Sequence, residues 1–306
     1  MVRHFSLNIG IASTSLLAAP TLDLLIDNGY SVSTLFTKEG KPKGRGRDLS
    51  ENEITGLARK VGLRIETAES SSEIAKIIER DQIQLAIAIS YGKLLKREAL
   101  IAPKFGWLNL HFSKLPQFRG AAPVQRAILS GVTNSGITVF KLDEGMDTGP
   151  IYRQADFDLA SLNATEALRQ MSILGASLVL ETLNMIKGGE EPTPQRGSFS
   201  IAPKIEKEEL RIYWNKENSL IINQIRAFAD TPGAWVEIRG KKLKILRAKE
   251  FSLNGMPGEC LNIEPLIVGT DAGSIEIIEV QPESGKKMKS SDWIRGARIE
   301  KGEFFR

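Results

Sequence analysis

Between residues 6 and 110 the chain alternates short apolar runs with longer amphipathic ones, and few folds accommodate that order. SLNIGIAS (6–13), YSVSTLFT (30–37), QLAIAIS (84–90) and GWLNL (106–110) have the length and composition of buried strands. LLAAPTLDLLIDN (16–28), ENEITGLARKVG (51–62), SSEIAKIIERD (71–81) and, further on, ATEALRQMSILGASLVLETLNMIKGG (164–189) repeat apolar residues at helical spacing. Parallel strands need a crossover, and a helix supplies it, so the alternation predicts an α/β fold with a doubly wound, mainly parallel, Rossmann-like sheet. Ligands of such sheets bind beyond the carboxyl ends of the strands. Right-handed crossovers would bring Gly10, Tyr91, Gly92 and Asn109 together there.

The pattern changes in GGEEPTPQRGSFSIAPKIEKEE (188–209), a run rich in Gly, Pro and charge that marks a linker. The expected division is a first domain over 1–189, a linker over 190–207 and a second domain over 208–306. WNKENSLIINQIRAFAD (214–230) suits a helix, and AWVEIRG, KKLKILRA, EPLIVGT and SIEIIEV are short strands separated by turn residues, which suggests a small β-barrel. A chain of 306 residues, 42% hydrophobic, can build two cores. No apolar run reaches the roughly 20 residues needed to cross a bilayer, and the first residues lack a secretory cleavage pattern. The single Cys260 cannot form an internal disulfide, so the cytoplasm is the expected compartment.

Chemistry concentrates at the end of the fourth apolar run. Asn109 and His111 are two apart, so on a strand they project from one face. Of the two histidines, His4 lies in the polar start of the chain, which leaves His111 as the histidine with a fixed setting. Asp147 follows His111 by 36 residues, in DEGMDTG. FSKLPQFRG (112–120) then reads as a stiff loop and AAPVQRAILSG (121–131) as a helix with Pro123 in its first turn. Taken singly, these residues could equally satisfy backbone groups at a strand end and form an ordinary acidic turn. Without spaced Cys/His ligand pairs, no metal is expected.

Taken together, NLHFSKLPQFRGAAPVQRAILSG and SGITVFKLDEGMDTGPI resemble the signature of the folate-dependent formyltransferases, and the likeness extends over nearly the whole chain. IAPKIEKEELRIYW, RAFADTPGAWVEIRGKKLKI and VQPESGKKM resemble the C-terminal domain, an oligonucleotide-binding-type barrel, of those members that act on methionyl-tRNA. The resemblance implies transfer of a formyl group from 10-formyltetrahydrofolate to the α-amino group of methionine on initiator tRNA. It assigns Asn109 and His111 to stabilising the oxyanion and Asp147 to orienting the imidazole and accepting the amine proton through a water. Folate would sit among Tyr91, Gly92, Ser113, Lys114, Leu115, Pro116 and Asp143.

The basic run KPKGRGR (41–47) carries Lys41, Lys43, Arg45 and Arg47, and a second basic stretch contains Lys286 and Lys287. A charge run is usually a solvated loop, and the net charge of +4 is unremarkable. In the resembling family a basic insertion at the first place reaches the acceptor end of the tRNA, so these residues are expected contacts of a monomeric enzyme with neither membrane nor DNA as a partner.

The chain departs from the family pattern at the Gly10–Ser15 turn, at Phe112 after the histidine, at Lys114, and at Gln117, where a basic residue is common. Other readings keep the same trio: a formyltransferase acting on a sugar nucleotide or on glycinamide ribonucleotide, a hydrolase releasing formate from the same folate, or a non-catalytic RNA-binding relative. A nicotinamide-dependent dehydrogenase is disfavoured because no G-x-G-x-x-G follows the first strand.

Overall fold

A computed structural model of the chain describes residues 7–38, 40–43, 48–50 and 52–306, with backbone alone at 41–43 and 48–50. In chain order its main elements begin β1 (Asn8–Ala12), α1 (Ala19–Asp27), β2 (Ser31–Phe36), α2 (Glu53–Lys60), β3 (Arg64–Glu66), α3 (Ser71–Arg80), β4 (Leu85–Ala88), α4 (Arg97–Ile101) and β5 (Trp107–His111). They continue with α5 (Pro123–Leu129), β6 (Asn134–Lys141), β7 (Ile151–Asp158), α6 (Ala164–Lys187), α7 (Asn218–Phe228), β8 (Ala234–Ile238), β9 (Lys241–Phe251), β10 (Cys260–Asn262), β11 (Ile267–Thr270), β12 (Gly273–Pro282) and α8 (Ser290–Ala297).

Two compact units result. The first comprises Met1–Ala121, Ser135–Phe157 and Leu168–Ala202; the second comprises Ala122–Asn134, Asp158–Ala167 and Pro203–Arg306. The early part of the segment expected as a linker, 190–202, therefore counts with the first unit, and α5 counts with the second.

The first unit is built on a seven-stranded sheet ordered β7-β6-β5-β4-β1-β2-β3. The pairs β1–β2, β1–β4, β2–β3 and β4–β5 are parallel, and β5–β6 is antiparallel. Helix α3 illustrates why the sequence makes this fold: Ser70 Oγ accepts from the Glu73 N–H at 3.1 Å while the Glu73 carboxylate accepts from the Glu69 N–H at 2.9 Å, closing the first turn. Ile74, Ile77 and Ile78, at helical spacing, are then buried. Trp107 at the start of β5 is fully buried, and its indole N–H donates to the Ala99 carbonyl at 2.8 Å. A hydrogen bond leaves no polar penalty for burying the indole.

Strand β5 is aimed by α6. A Cβ on Gly175 would stand 2.7 Å from the Leu110 side chain, so the helix and the strand approach as closely as they do only because that position is glycine. Leu110 points toward α6, which sends Asn109 and His111 to the opposite face of the sheet.

One expectation is corrected. Gly10 does not reach the carboxyl end of the sheet: it lies inside β1, level with Thr34 and Ala86, where an added Cβ would meet Phe36 and Ile83 at 3.1 Å. Asn109 is level with Ala88, and Ala88 with Ala12, so the wall beyond β1 is made by Ser13–Ser15. There Ser13 Oγ accepts from the Ser15 N–H at 3.1 Å, and Thr14 Oγ1 donates to the Ser90 carbonyl at 3.0 Å. Small hydroxyl side chains close this turn with local hydrogen bonds instead of glycine freedom.

The second unit is an antiparallel sheet ordered β8-β9-β12-β11-β10, with Met288–Lys289 added beside β12. Helix α5 packs against α7, and the Arg126 guanidinium pairs with both Glu209 carboxylate oxygens at 2.5 and 2.8 Å. Arg226 ties the 158–167 segment to α7 by donating to the Leu159 and Leu162 carbonyls. Among the described residues no helix is long and apolar enough to cross a membrane.

Candidate active site

Asn109 and His111 occupy one face of β5, Asn109 half-buried and His111 only 6% exposed. Among the described residues, nothing hydrogen-bonds the Asn109 side-chain amide. The histidine is held on two sides. Nε2 lies 2.9 Å from the Phe118 carbonyl oxygen, which can only accept, so Nε2 carries a proton. Nδ1 faces Asp147 Oδ2 at 3.7 Å, and the Phe140 ring meets the imidazole edge-on with centroids 6.4 Å apart. A carboxylate at that distance is placed to stabilise positive charge that develops on the ring as it exchanges a proton.

Asp147 sits at φ +54, a left-handed conformation that a short polar residue tolerates. Its Oδ2 accepts from the Gly120 N–H at 2.7 Å, and the Gln195 side chain donates to the carbonyls of Asp147 and Gly149, both at 2.8 Å. Gly120 has to be glycine: its φ is +125, and a Cβ there would come within 2.6 Å of the Ala202 carbonyl oxygen.

The loop after β5 is rigid through one threonine. Thr138 Oγ1 donates to the Ser113 carbonyl at 2.7 Å and accepts from the Leu115 N–H at 3.1 Å, while Gln154 Nε2 donates to the Leu115 carbonyl at 2.7 Å. Ser113 Oγ donates to the Gln117 carbonyl at 2.6 Å, and the Leu115–Pro116 bond is cis. The Lys114 ammonium pairs with Asp156 on β7, and Gln117 donates to the Ser198 carbonyl at 2.7 Å. Lys114 and Gln117, two of the positions that depart from the family pattern, are thus engaged within the protein.

The remaining expected folate contacts differ in what they offer. The Tyr91 ring is in the core beside Leu95 and Trp107, its hydroxyl is buried without a partner among the described residues, and burial pushes its pKa up to about 12. Only the backbone of Tyr91 and Gly92 can therefore face a ligand without repacking, and the Gly92 carbonyl already accepts from Lys38 Nζ at 3.0 Å. Asp143 organises its own loop, accepting from the Gly145 N–H at 3.1 Å and the Thr148 hydroxyl at 2.7 Å. Among the described residues no group of three or more His, Cys, Asp or Glu is placed to hold a metal ion.

Of the basic residues, Lys41 and Lys43 fall on the first strand of a small hairpin, Lys41–Lys43 with Asp48–Ser50, while Arg45, Arg47 and His4 lie outside the described residues. Lys286 is exposed, whereas Lys287 reaches Asp230 at 3.0 Å and Glu279 at 3.1 Å, and these carboxylates hold its pKa above the usual lysine value. A basic surface that the sequence did not single out lies elsewhere in the second unit. A cleft of about 800 Å³ is lined by Lys207, Arg211, Tyr213, Trp235, Lys242 and Lys244 among others. Lys242 Nζ sits 4.2 Å from the centroid of the Trp235 ring, and the Arg211 guanidinium 5.4 Å from the same ring. The aromatic ring thereby fixes two cations in place.

Residues 7–173 match the formyl transferase family, and residues 204–298 match the formyl transferase C-terminal domain. The chain is 36% identical over 290 residues to the methionyl-tRNA formyltransferase of Thermodesulfovibrio yellowstonii, covering 93% of this chain and 94% of that one. It is 35% identical over 302 residues to the methionyl-tRNA formyltransferase of Arthrobacter sp., covering 96% and 98%. Among solved structures, HypX from Aquifex aeolicus in complex with tetrahydrofolic acid superposes with a TM-score of 0.70 at 21% identity, over 97% of this chain and 50% of that one. Methionyl-tRNA formyltransferase from Clostridium thermocellum does so with a TM-score of 0.59 at 19% identity, over 80% and 94%.

Proposed function

The chain belongs to the formyl transferase family, and from that premise we propose that it moves a formyl group from 10-formyltetrahydrofolate onto the α-amine of methionine carried by initiator tRNA. The observation that carries the chemistry is an Asn109 amide that bonds no described residue, on the same strand face as a histidine fixed between Phe118 and Asp147. Acyl transfer needs a donor for a developing oxyanion and a group that moves a proton, and these side chains supply both.

In this reading the amine nitrogen attacks the formyl carbon, a new C–N bond forms, and the carbonyl oxygen becomes an oxyanion. Asn109 donates its amide N–H to that oxygen, and a donor so placed is worth about 3–4 kcal/mol of barrier. Asp147 takes the proton lost by the amine through a water. His111 delivers a proton to the departing folate nitrogen as its bond to the formyl carbon breaks, so the proton gained there balances the one lost at the amine. The Asn109 amide and backbone groups of the crevice would meet the folate, with Ser113–Pro116 as a wall held rigid by Thr138.

The choice of a tRNA acceptor is supported by the near-complete coverage of relatives bearing that name. The cleft bearing Arg211, Lys242 and Lys244 supports it further, because fixed cations along a groove suit a phosphate backbone. The enzyme so read works in the cytoplasm as a monomer. The test is incubation with formyl-labelled 10-formyltetrahydrofolate and methionine-charged initiator tRNA. Label should appear on the aminoacyl end with the native chain and be absent with His111→Ala. Label released as free formate, or transferred equally to an uncharged small amine, would refute the assignment.

A further inference from the structure

Residues 195–202 carry no helical or strand periodicity, yet they run beside the segment that presents both partners of the catalytic pair. The Phe118 N–H donates to Ser200 Oγ at 2.8 Å, the Arg119 N–H to the Ser200 carbonyl at 2.9 Å, and Ile201–Ala202 pairs in parallel with Arg119–Gly120. The Phe118 carbonyl that engages His111 and the Gly120 N–H that engages Asp147 therefore belong to a segment bonded along its length to this strap. Phe199 adds to it, lying 5.1 Å from the Arg119 guanidinium.

Gln195 is the point where this strap grips the acid loop. Its Oε1 accepts twice from Arg119, from Nε at 3.2 Å and Nη2 at 2.6 Å, and its Nε2 donates to the Asp147 and Gly149 carbonyls. Two donors and two acceptors are all an amide has, and each is used. Rotation of the amide would place its oxygen against two carbonyl oxygens and its NH₂ against a cation, so a single orientation is enforced. Asp147 is consequently fixed twice, by its carboxylate to Gly120 and by its carbonyl to Gln195.

We propose that Gln195 is a positioning residue for formyl transfer, acting through Asp147 to keep that carboxylate beside the His111 ring. The proposal rests on the reading of His111 and Asp147 given above. It assigns to a stretch outside the catalytic strand and loops a role in the rate of the chemical step, with no contact to either substrate.

The experiment uses the full-length chain with Gln195→Met, which keeps length and loses the amide, and Gln195→Glu, which keeps an acceptor for Arg119 and loses both N–H donors. Turnover is measured with formyl-folate and charged tRNA, and binding stoichiometry with 5-formyltetrahydrofolate by equilibrium dialysis. Because displacement of a catalytic group by about 1 Å can cost on the order of 100-fold, kcat is expected to fall about 10- to 100-fold in both variants. Both KM values and a stoichiometry of one folate per chain should be retained. In an Asp147→Asn background, Gln195→Met should cost less than about threefold more, because residues acting as one unit are not additive. Losses that multiply in the double variant, a folate stoichiometry that falls in step with kcat, or a kcat within about threefold of the native value would each overturn the proposal. His111→Ala and Asp147→Asn are assayed alongside: native turnover in those variants would show that the reading of the site has failed, whatever Gln195 does.

Discussion

His111 donates through Nε2 to the carbonyl of Phe118 at 2.9 Å, and this leaves Nδ1 turned toward Asp147. The backbone thereby sets the orientation of the ring and the nitrogen that faces the carboxylate. A backbone carbonyl seven positions along the chain orients the ring as a carboxylate does in many other sites.

Removal of the imidazole should stop the reaction without emptying the crevice. For His111→Ala, kcat is expected to fall about 10²- to 10⁴-fold, the span of general acid–base catalysis. Folate and tRNA affinities, measured by equilibrium binding, should stay near those of the native chain.

Asn109→Ala separates catalysis from folding. Its amide bonds no described residue in the free protein, so the melting temperature should hardly move. Loss of one oxyanion donor should nevertheless lower kcat by about 10²- to 10³-fold. A stability loss matching the rate loss would mean that the amide serves the fold.

Gly120→Ala should damage both. The added Cβ meets the Ala202 carbonyl and the backbone must hold φ +125, so denaturant titration should show a loss of about 1–3 kcal/mol or more. The same movement displaces the N–H that Asp147 accepts, and turnover should fall even where the chain stays folded.

Substrate RNA should feel the second unit. If Arg211 and Lys242 each meet one phosphate of the tRNA, Arg211→Ala and Lys242→Ala should each flatten the dependence of log affinity on log salt by about 0.7–0.9. Formylation at saturating tRNA should be unchanged. An unaltered slope would remove the cleft from the RNA-binding surface.

Acid stability should depend on Glu209. Its hydrogen bonds to Arg126 hold the carboxyl below the ordinary value of 4.5, so the pair stabilises the fold fully above that pH and loses its contribution as pH falls through the lower folded value. Glu209→Gln should therefore flatten the stability profile below about pH 4.5 while lowering it above. Urea midpoints at a series of pH values would read this.

The parts of the site visible in the sequence were those that obey a local period. Asn109 and His111 share a strand face because side chains alternate, and α3 and α7 were legible from helical spacing and their flanking residues. The strands β6 and β7 and the short β3 were not singled out, although they complete the sheet. Thr138, Gln154 and Gln195 were missed for another reason. Each acts on backbone carbonyls or amides many positions away, and a hydrogen bond between distant residues leaves no periodic mark. Gly10 falls inside β1 because a strand's end cannot be read from composition, and the pairing of Lys114 with Asp156 on β7 joins residues too far apart in the chain to leave a local signal. The aromatic and basic residues of the cleft are spread from 207 to 244, so no single run announced them.

The second unit takes α5 from the front half of the chain and seats Val124, Ala127 and Ile128 as buried residues, yet its packing partner α7 begins only at Asn218. On a ribosome adding roughly 5–20 residues per second, α5 waits about 5–20 s before the helix it rests on exists. During that interval its apolar face lacks α7. The discontinuous second unit thus imposes a delay in the order of synthesis, and cutting the chain at residue 202 would make the delay permanent.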